Sequence, residues 1–151
     1  MDKAKKEERD QRWATAFESV GYIQYDERDS DMEANQKATA VLELLIQASD
    51  ISHTMQHWQV YRRWNENFFL ECYQAFLDGH MKQNPASNWF EGELKFFDFC
   101  VIPMANKLKQ CGVFGVSSDE YLTYAIQNRK EWELHGKEVV KGMLAKAESQ
   151  A

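Results

Sequence analysis

Asp50, His53 and His57 are the residues whose types and spacing first point to chemistry. On a continuous helix, positions i, i+3 and i+7 project from one face. Two imidazoles and a carboxylate suit zinc, and an open fourth position would suit hydrolysis. The same residues have a plainer reading, because an aspartate at a helix boundary more often caps backbone amides than coordinates a cation. His80 and His135 lack a neighbour of the kind a catalytic dyad needs. No serine sits in a nucleophile elbow, and no glycine-rich phosphate loop is present. Glu91 and Glu93 lie two residues apart, so on a helix they point to different faces and form no paired-carboxylate site.

The elements that must position these residues are helices. Seven Gly and two Pro in 151 residues leave few forced breaks. Residues 3–20 alternate charge with Trp13, Phe17 and Val20, a helix with one narrow apolar stripe that Gly21 stops. The polar stretch 25–31 reads as a loop, and Ser30 with Glu33 makes a capping box for a helix running to about Ser49. A long aromatic helix follows over 57–80, carrying Trp58, Tyr61, Trp64, Phe68, Phe69, Tyr73 and Phe76, and Gly79, Asn84 and Pro85 break it. The next helix spans about 87–110, with Pro103 predicting a kink or end near Val101. Gly112 and Gly115 form a turn, and Ser117 with Glu120 opens a last helix to about Ala147, its charged end expected to fray. No segment keeps a period-2 alternation over a useful length. The chain is therefore predicted to be all-α, with about five helices. Five Trp and nine Phe point to a ligand cleft, or to a core larger than five helices enclose. Taken singly, most of these aromatics read as ordinary core.

Composition removes several function classes. A net charge of −6 offers no counterion-release attraction to nucleic acid. Cys72, Cys100 and Cys111 are odd in number and not in C-x-x-C spacing, so they read as buried thiols of a cytoplasmic protein. No apolar run approaches the ~20 residues of a membrane span, and the charged start is no signal peptide.

A more specific signal lies in the run LLIQASDISHTMQHWQVYRRWNENFFLECYQ, residues 44–74, and in ELKFFDFCVIPM, residues 93–104. Ala48-Ser49-Asp50-Ile51-Ser52, then Tyr61-Arg62-Arg63-Trp64, then Glu71 near Tyr73 resemble successive motifs of the 3′,5′-cyclic-nucleotide phosphodiesterase family. Phe96, Asp98 and Pro103 match a later segment of that family in register. The His53-Thr54-Met55-Gln56-His57-Trp58 stretch is most similar to protist-type members, and the resemblance covers about residues 1–140. It implies hydrolysis of a cyclic phosphate to a 5′-monophosphate in signal transduction, with a metal-bridging hydroxide attacking phosphorus and a histidine protonating the leaving oxygen. Zinc and magnesium are the metals implied. Asp50 matches the aspartate on the tighter metal. Phe96 matches the aromatic that clamps the purine, and Glu93 falls where the family has the glutamine that hydrogen-bonds the base. Tyr61, Trp64, Asn65, Phe68 and Phe69 line up with the pocket wall. His53 aligns with a polar residue near the purine rather than with a ligand.

The departures carry as much information. The family's ligand histidines and its acid histidine match positions upstream of Met1, so no catalytic residue is expected within this chain. The expectation is a partial catalytic domain over residues 1–148 with a short tail at 149–151, inactive alone and partnered by the missing N-terminal half. A cytoplasmic location is expected for this segment, whereas the parent protein could be membrane-attached. The alternative is a non-catalytic helical interaction module that kept the fold. Glu93 in place of glutamine changes base recognition: an ionised carboxylate only accepts, which favours guanine N1–H over adenine N1. Lys95, where the family has glycine, is placed to pair with that carboxylate.

Overall fold

The computed structural model describes residues 3–17, 27–112, 114–115 and 117–150, with backbone alone for 27–33 and for Ser118. The described residues are helical, in five rods, as the sequence predicts. They divide into two compact units, residues 1–50 and 51–151.

The first unit packs α1 (Lys3–Phe17) on α2 (Glu27–Asp50). Trp13 and Ala16 are buried on α1, with the Phe17 ring stacked on Trp13 at 4.3 Å. On α2 the buried positions are Ala40, Leu44 and Ala48, one i, i+4 row. Arg12 joins the two helices through Glu43 at 2.9 Å. The expected loop over 25–31 is helical from Glu27 onward, so Ser30 falls within the first turn and not at the N-cap. The acidic run that opens this helix favours an early start, because carboxylates complement the positive end of the helix dipole. Gly21, Tyr25 and Asp26 lie outside the described residues.

The second unit begins with a short 3-10 turn, Ser52–Met55, and continues through α3 (Trp58–Leu77) to a second 3-10 turn, Pro85–Ser87. The next rod is α4 (Trp89–Phe96), a π-helical turn over Phe97–Val101, and α5 (Ile102–Cys111). Pro103 has no N–H, and its ring crowds the carbonyl four residues back. The wider turn just ahead of it, closed by Ile102 N–H to Phe97 O, lets the rod pass through without ending. Gly112 then takes the left-handed φ of +67° that closes α5.

The longest helix, α6 (Ser117–Gln150), packs against α3, α4, α5 and the first 3-10 turn, and stays helical to Gln150 where fraying was expected. Its Trp132 is fully buried and donates its indole N–H to Phe90 O at 3.1 Å. Gly136, one turn on, has no space for a side chain, since a Cβ there would meet Phe90 and Trp132 at 2.9 Å. Arg129 clasps Asp98 of the π turn at 2.9 and 3.3 Å, a bidentate pair.

Asn128 explains how the chain can break its helix between α2 and α3. Both amide protons of this 1% exposed side chain go to backbone carbonyls, Thr54 O at 2.9 Å and Gln56 O at 2.7 Å. Those carbonyls have left the helical ladder, and α6 replaces the lost donors. Removing them leaves two acceptors without these donors, the Thr54 carbonyl buried and the Gln56 carbonyl less so. Asn128→Leu is expected to cost about 2 kcal/mol or more, given roughly 1–3 kcal/mol for each unsatisfied group. Asn128→Asp, similar in shape but without donors, should be as damaging. Urea denaturation of the chain measures both, and a variant within about 0.5 kcal/mol of wild type, the usual range for surface changes, would contradict the assignment.

Candidate functional site

The site is organised by two neighbouring rows on α3. Tyr61, Asn65, Phe69 and Tyr73 recur every four residues and are buried. Beside them Trp64 and Phe68, 57% and 56% exposed, form an outward aromatic row. Amphipathic spacing places the first row in the core, but two large rings left in water are unusual for a helix of this kind.

From the buried row a chain of hydrogen bonds runs to α4. Trp89 Nε1 donates to Asn65 Oδ1 at 3.1 Å. Asn65 Nδ2 donates to the Tyr61 hydroxyl at 3.3 Å, and that hydroxyl donates to Glu93 Oε2 at 2.6 Å. The Tyr61 ring is fixed by the ring of Phe97 at 5.2 Å and that of Trp132 at 5.9 Å, both close to edge-on. Burial, then the adjacent Glu93 charge and its hydrogen bond, push the Tyr61 hydroxyl far above its ordinary range, so it stays a donor. Burial also holds the half-buried Glu93 carboxyl above its usual range, against the smaller opposing effect of the Tyr61 hydrogen bond. Lys95 is exposed, and it is Tyr61 that holds the carboxylate.

The remaining predicted residues fall into groups. Phe96 stands one turn beyond Glu93 on α4, at i, i+3, on the same side of the helix. His53 is half-buried with its ring 5.7 Å from Trp64, and burial lowers its pKa, favouring the neutral imidazole. Phe68 lies 5.4 Å from Trp89. Phe69 is fully buried between Tyr73 and Trp89, so it backs the wall and does not face solvent. Trp89 is the member that sequence reading missed. Its signal was there, since it lies one helical turn before Glu93, but its partner Asn65 is on another helix.

The helical face shared by Asp50, His53 and His57 does not form. The α-helix ends at Asp50, His53 sits in a 3-10 turn, and His57 caps α3 by accepting Gln59 N–H at 3.3 Å. Thr54 Oγ1 donates to Ile51 O at 2.6 Å within the break, which the Asn128 amide holds open from α6. Asp50 itself is exposed at the end of α2. Among the described residues no three His, Cys, Asp or Glu side chains gather into a cation-holding group. A single carboxylate does not satisfy two divalent cations, so the donor set here does not fit the implied metal pair. The three cysteines are free thiols, each half-buried. Burial and Glu71 raise the pKa of Cys72 and keep it a poor nucleophile. In the first unit, the groove lined by Lys5, Glu8, Arg9, Arg12, Glu43, Ile46 and Gln47 is occupied by mutual ion pairs.

The raised Glu93 pKa has a sign that can be tested. A folded pKa above the unfolded one contributes stability below the unfolded value, and that stability is lost as pH rises through the folded pKa. Glu93→Gln keeps an acceptor for Tyr61 and removes the charge. Its melting temperature is expected to exceed wild type in alkaline buffer, with the gap closing as the buffer is acidified. A gap that is absent, or that widens in acid, would show that the fold does not feel this charge.

Sequence comparison bears on the same residues. The profile of the 3′5′-cyclic nucleotide phosphodiesterase family matches residues 3–114, which takes in both helices of the first unit together with α3, α4 and α5. No curated protein and no solved structure matches the chain. With about three quarters of its length matched by that profile, the chain belongs to the 3′5′-cyclic nucleotide phosphodiesterase family.

Proposed function

We propose that this chain supplies the base-binding part of a phosphodiesterase catalytic domain that hydrolyses 3′,5′-cyclic nucleotides in signal transduction. On this reading residues 1–148 are one portion of the domain, and a separate stretch of polypeptide donates the metal ligands and the leaving-group acid. The observation that carries the proposal is Glu93: a carboxylate fixed by Tyr61 at 2.6 Å, with the Phe96 ring one turn away on the same side of α4.

Each residue then has a role in holding the nucleotide. Phe96 stacks on the flat purine face, an interaction worth about 1–3 kcal/mol per base. Trp64, Phe68 and the neutral His53 form an apolar wall that excludes water from the sugar and base. Glu93 turns its free oxygen to the Watson–Crick edge. An ionised carboxylate accepts from guanine N1–H and opposes the lone pair of adenine N1, which favours cyclic GMP. A protonated carboxyl gains a donor and accommodates adenine. Divalent metals, zinc and magnesium by the family resemblance, would supply water activation where the other stretch of polypeptide completes their ligand set. Asp50 is the one ligand position this chain contributes to that chemistry.

The single metal-binding carboxylate also favours a second reading, a non-catalytic module that keeps the fold and binds a nucleotide or protein without turnover. Equilibrium dialysis of the chain against cyclic GMP and cyclic AMP, with product analysis in zinc and magnesium, separates the two from a chain that binds neither. The expected result is binding without hydrolysis, tighter for cyclic GMP, with the preference shrinking as pH falls and Glu93 gains a proton. Phe96→Ala is expected to weaken both nucleotides by about tenfold or more, given the stacking energy above. Hydrolysis restored by adding the rest of the domain supports the enzyme reading. Absence of nucleotide binding to the chain, alone or so complemented, supports a pure interaction module.

A further inference from the structure

We propose that Arg129 is a positioning residue of the base site: its bidentate hold on Asp98 keeps the Phe97–Val101 turn wide, and the wide turn sets the side from which Phe96 meets the base. The inference rests on the base-binding reading above. It extends that reading to α6, beyond the residues that the family profile matches.

A π-helical turn holds one residue more than an α-helical turn between its bonded partners. Here the extra residue lies in Phe97–Val101, where Ile102 N–H reaches Phe97 O. Were this turn to tighten into the α form, the segment ahead of it would rotate against α5. The rotation is about 100°, one residue's share of a helical turn. Phe96 is the residue directly ahead, and Glu93 stands three before it. A rotation of that size would carry both away from the side on which Tyr61 now holds Glu93 at 2.6 Å. The direction of Phe96 is therefore a property of the turn behind it.

Within the rod, the wide turn has support on one side. Pro103 has no N–H for Phe99 O, which the α pattern would require. Phe97 and Val101 are fully buried and anchor the inner face. The outer face carries Asp98 and Phe99, the latter 66% exposed, and it is tied down from α6. Arg129 Nε donates to Asp98 Oδ1 at 2.9 Å and Nη2 to Oδ2 at 3.3 Å, so one planar fork takes both carboxylate oxygens. Arg129 Nη1 donates to Glu133, one turn along α6, which fixes the guanidinium to its own helix. A fork held at both ends resists rotation of the carboxylate, whereas an ammonium would follow it as a point charge. The Arg129 side chain is 25% exposed and that of Asp98 40%, so solvent screens the pair and its weight is modest.

The experiment is a double-mutant cycle read by dissociation constants of the full chain for cyclic GMP and cyclic AMP. Its proteins are wild type, Arg129→Met, Phe96→Ala and the double variant, with thermal unfolding measured on each. Arg129→Met keeps an apolar stem and removes the fork. It is expected to weaken both nucleotides by about threefold to fivefold, the reach of one partly exposed ion pair. On the Phe96→Ala background the same substitution is expected to change affinity by less than about twofold, because the ring it positions is gone. A merely structural loss would instead multiply with the loss from Phe96→Ala. Arg129→Lys keeps the charge without the fork and is expected to match Arg129→Met; it carries the cycle should Arg129→Met fail to fold. Independent effects in folded variants, or full affinity in Arg129→Lys, overturn the positioning role and leave the base site standing. Wild type binding neither nucleotide, alone or complemented by the rest of the domain, overturns the base site and this inference with it.

Discussion

A tyrosine hydroxyl with no exposure to water must find its partners inside the protein, and much of the second unit follows from where Tyr61 finds them. Burying such a group without a partner costs a few kcal/mol, a large part of the stability of a domain this size. Tyr61 has two partners, Asn65 on its own helix and Glu93 on α4. Its ring meanwhile lies against Phe97 and Trp132, which ties the π turn and α6 to the same point. One side chain thus joins three rods.

The same contacts set how the helices meet. Tyr61 pairs with Glu93 and Asn65 with Trp89, so moving four residues forward on α3 moves four residues back on α4. The two helices are therefore antiparallel at this contact, with one full turn of each held at both ends by a hydrogen bond. Sliding one past the other by a turn would break both bonds and leave the buried Tyr61 and Asn65 without these partners. Apolar packing alone tolerates such slips better, because it is not directional. The polar pair thus specifies the register, and the aromatic surfaces supply most of the burial.

Much of this architecture was legible in the sequence, for reasons that also explain what was not. The aromatic row of α3 and the breaks at Gly79, Pro85 and Gly112 act over a few residues, and the rods follow them. Ser30 misled because a capping box is a local pattern that competes with an equally local run of carboxylates upstream. The Asp50–His53–His57 face misled for a different reason. Its spacing has meaning only if the helix continues, and continuation was decided by Asn128, more than seventy residues away in sequence. Trp89 belongs to the same class: its place one turn before Glu93 is readable, but the amide that makes it useful lies across the interface. The family profile ends at residue 114, yet the buried side chains of α6 close the unit that the matched residues form.

Glutamate at position 93 brings the question of stability to a single side chain. Glutamine there would satisfy Tyr61 equally well and carry no charge into a partly desolvated site. Glutamate burdens the fold with a charge whose cost its raised pKa records. The cost is bearable because the carboxylate is half-buried and takes a hydrogen bond from a hydroxyl that does not ionise. The direction of that hydroxyl is one that neither Tyr61 nor Asn65 alone can guarantee. An indole one turn away can, because it has a proton to give and no lone pair with which to accept one. A charged group at the edge of a helical core is thus held by a series of three hydrogen bonds that begins at a neutral donor.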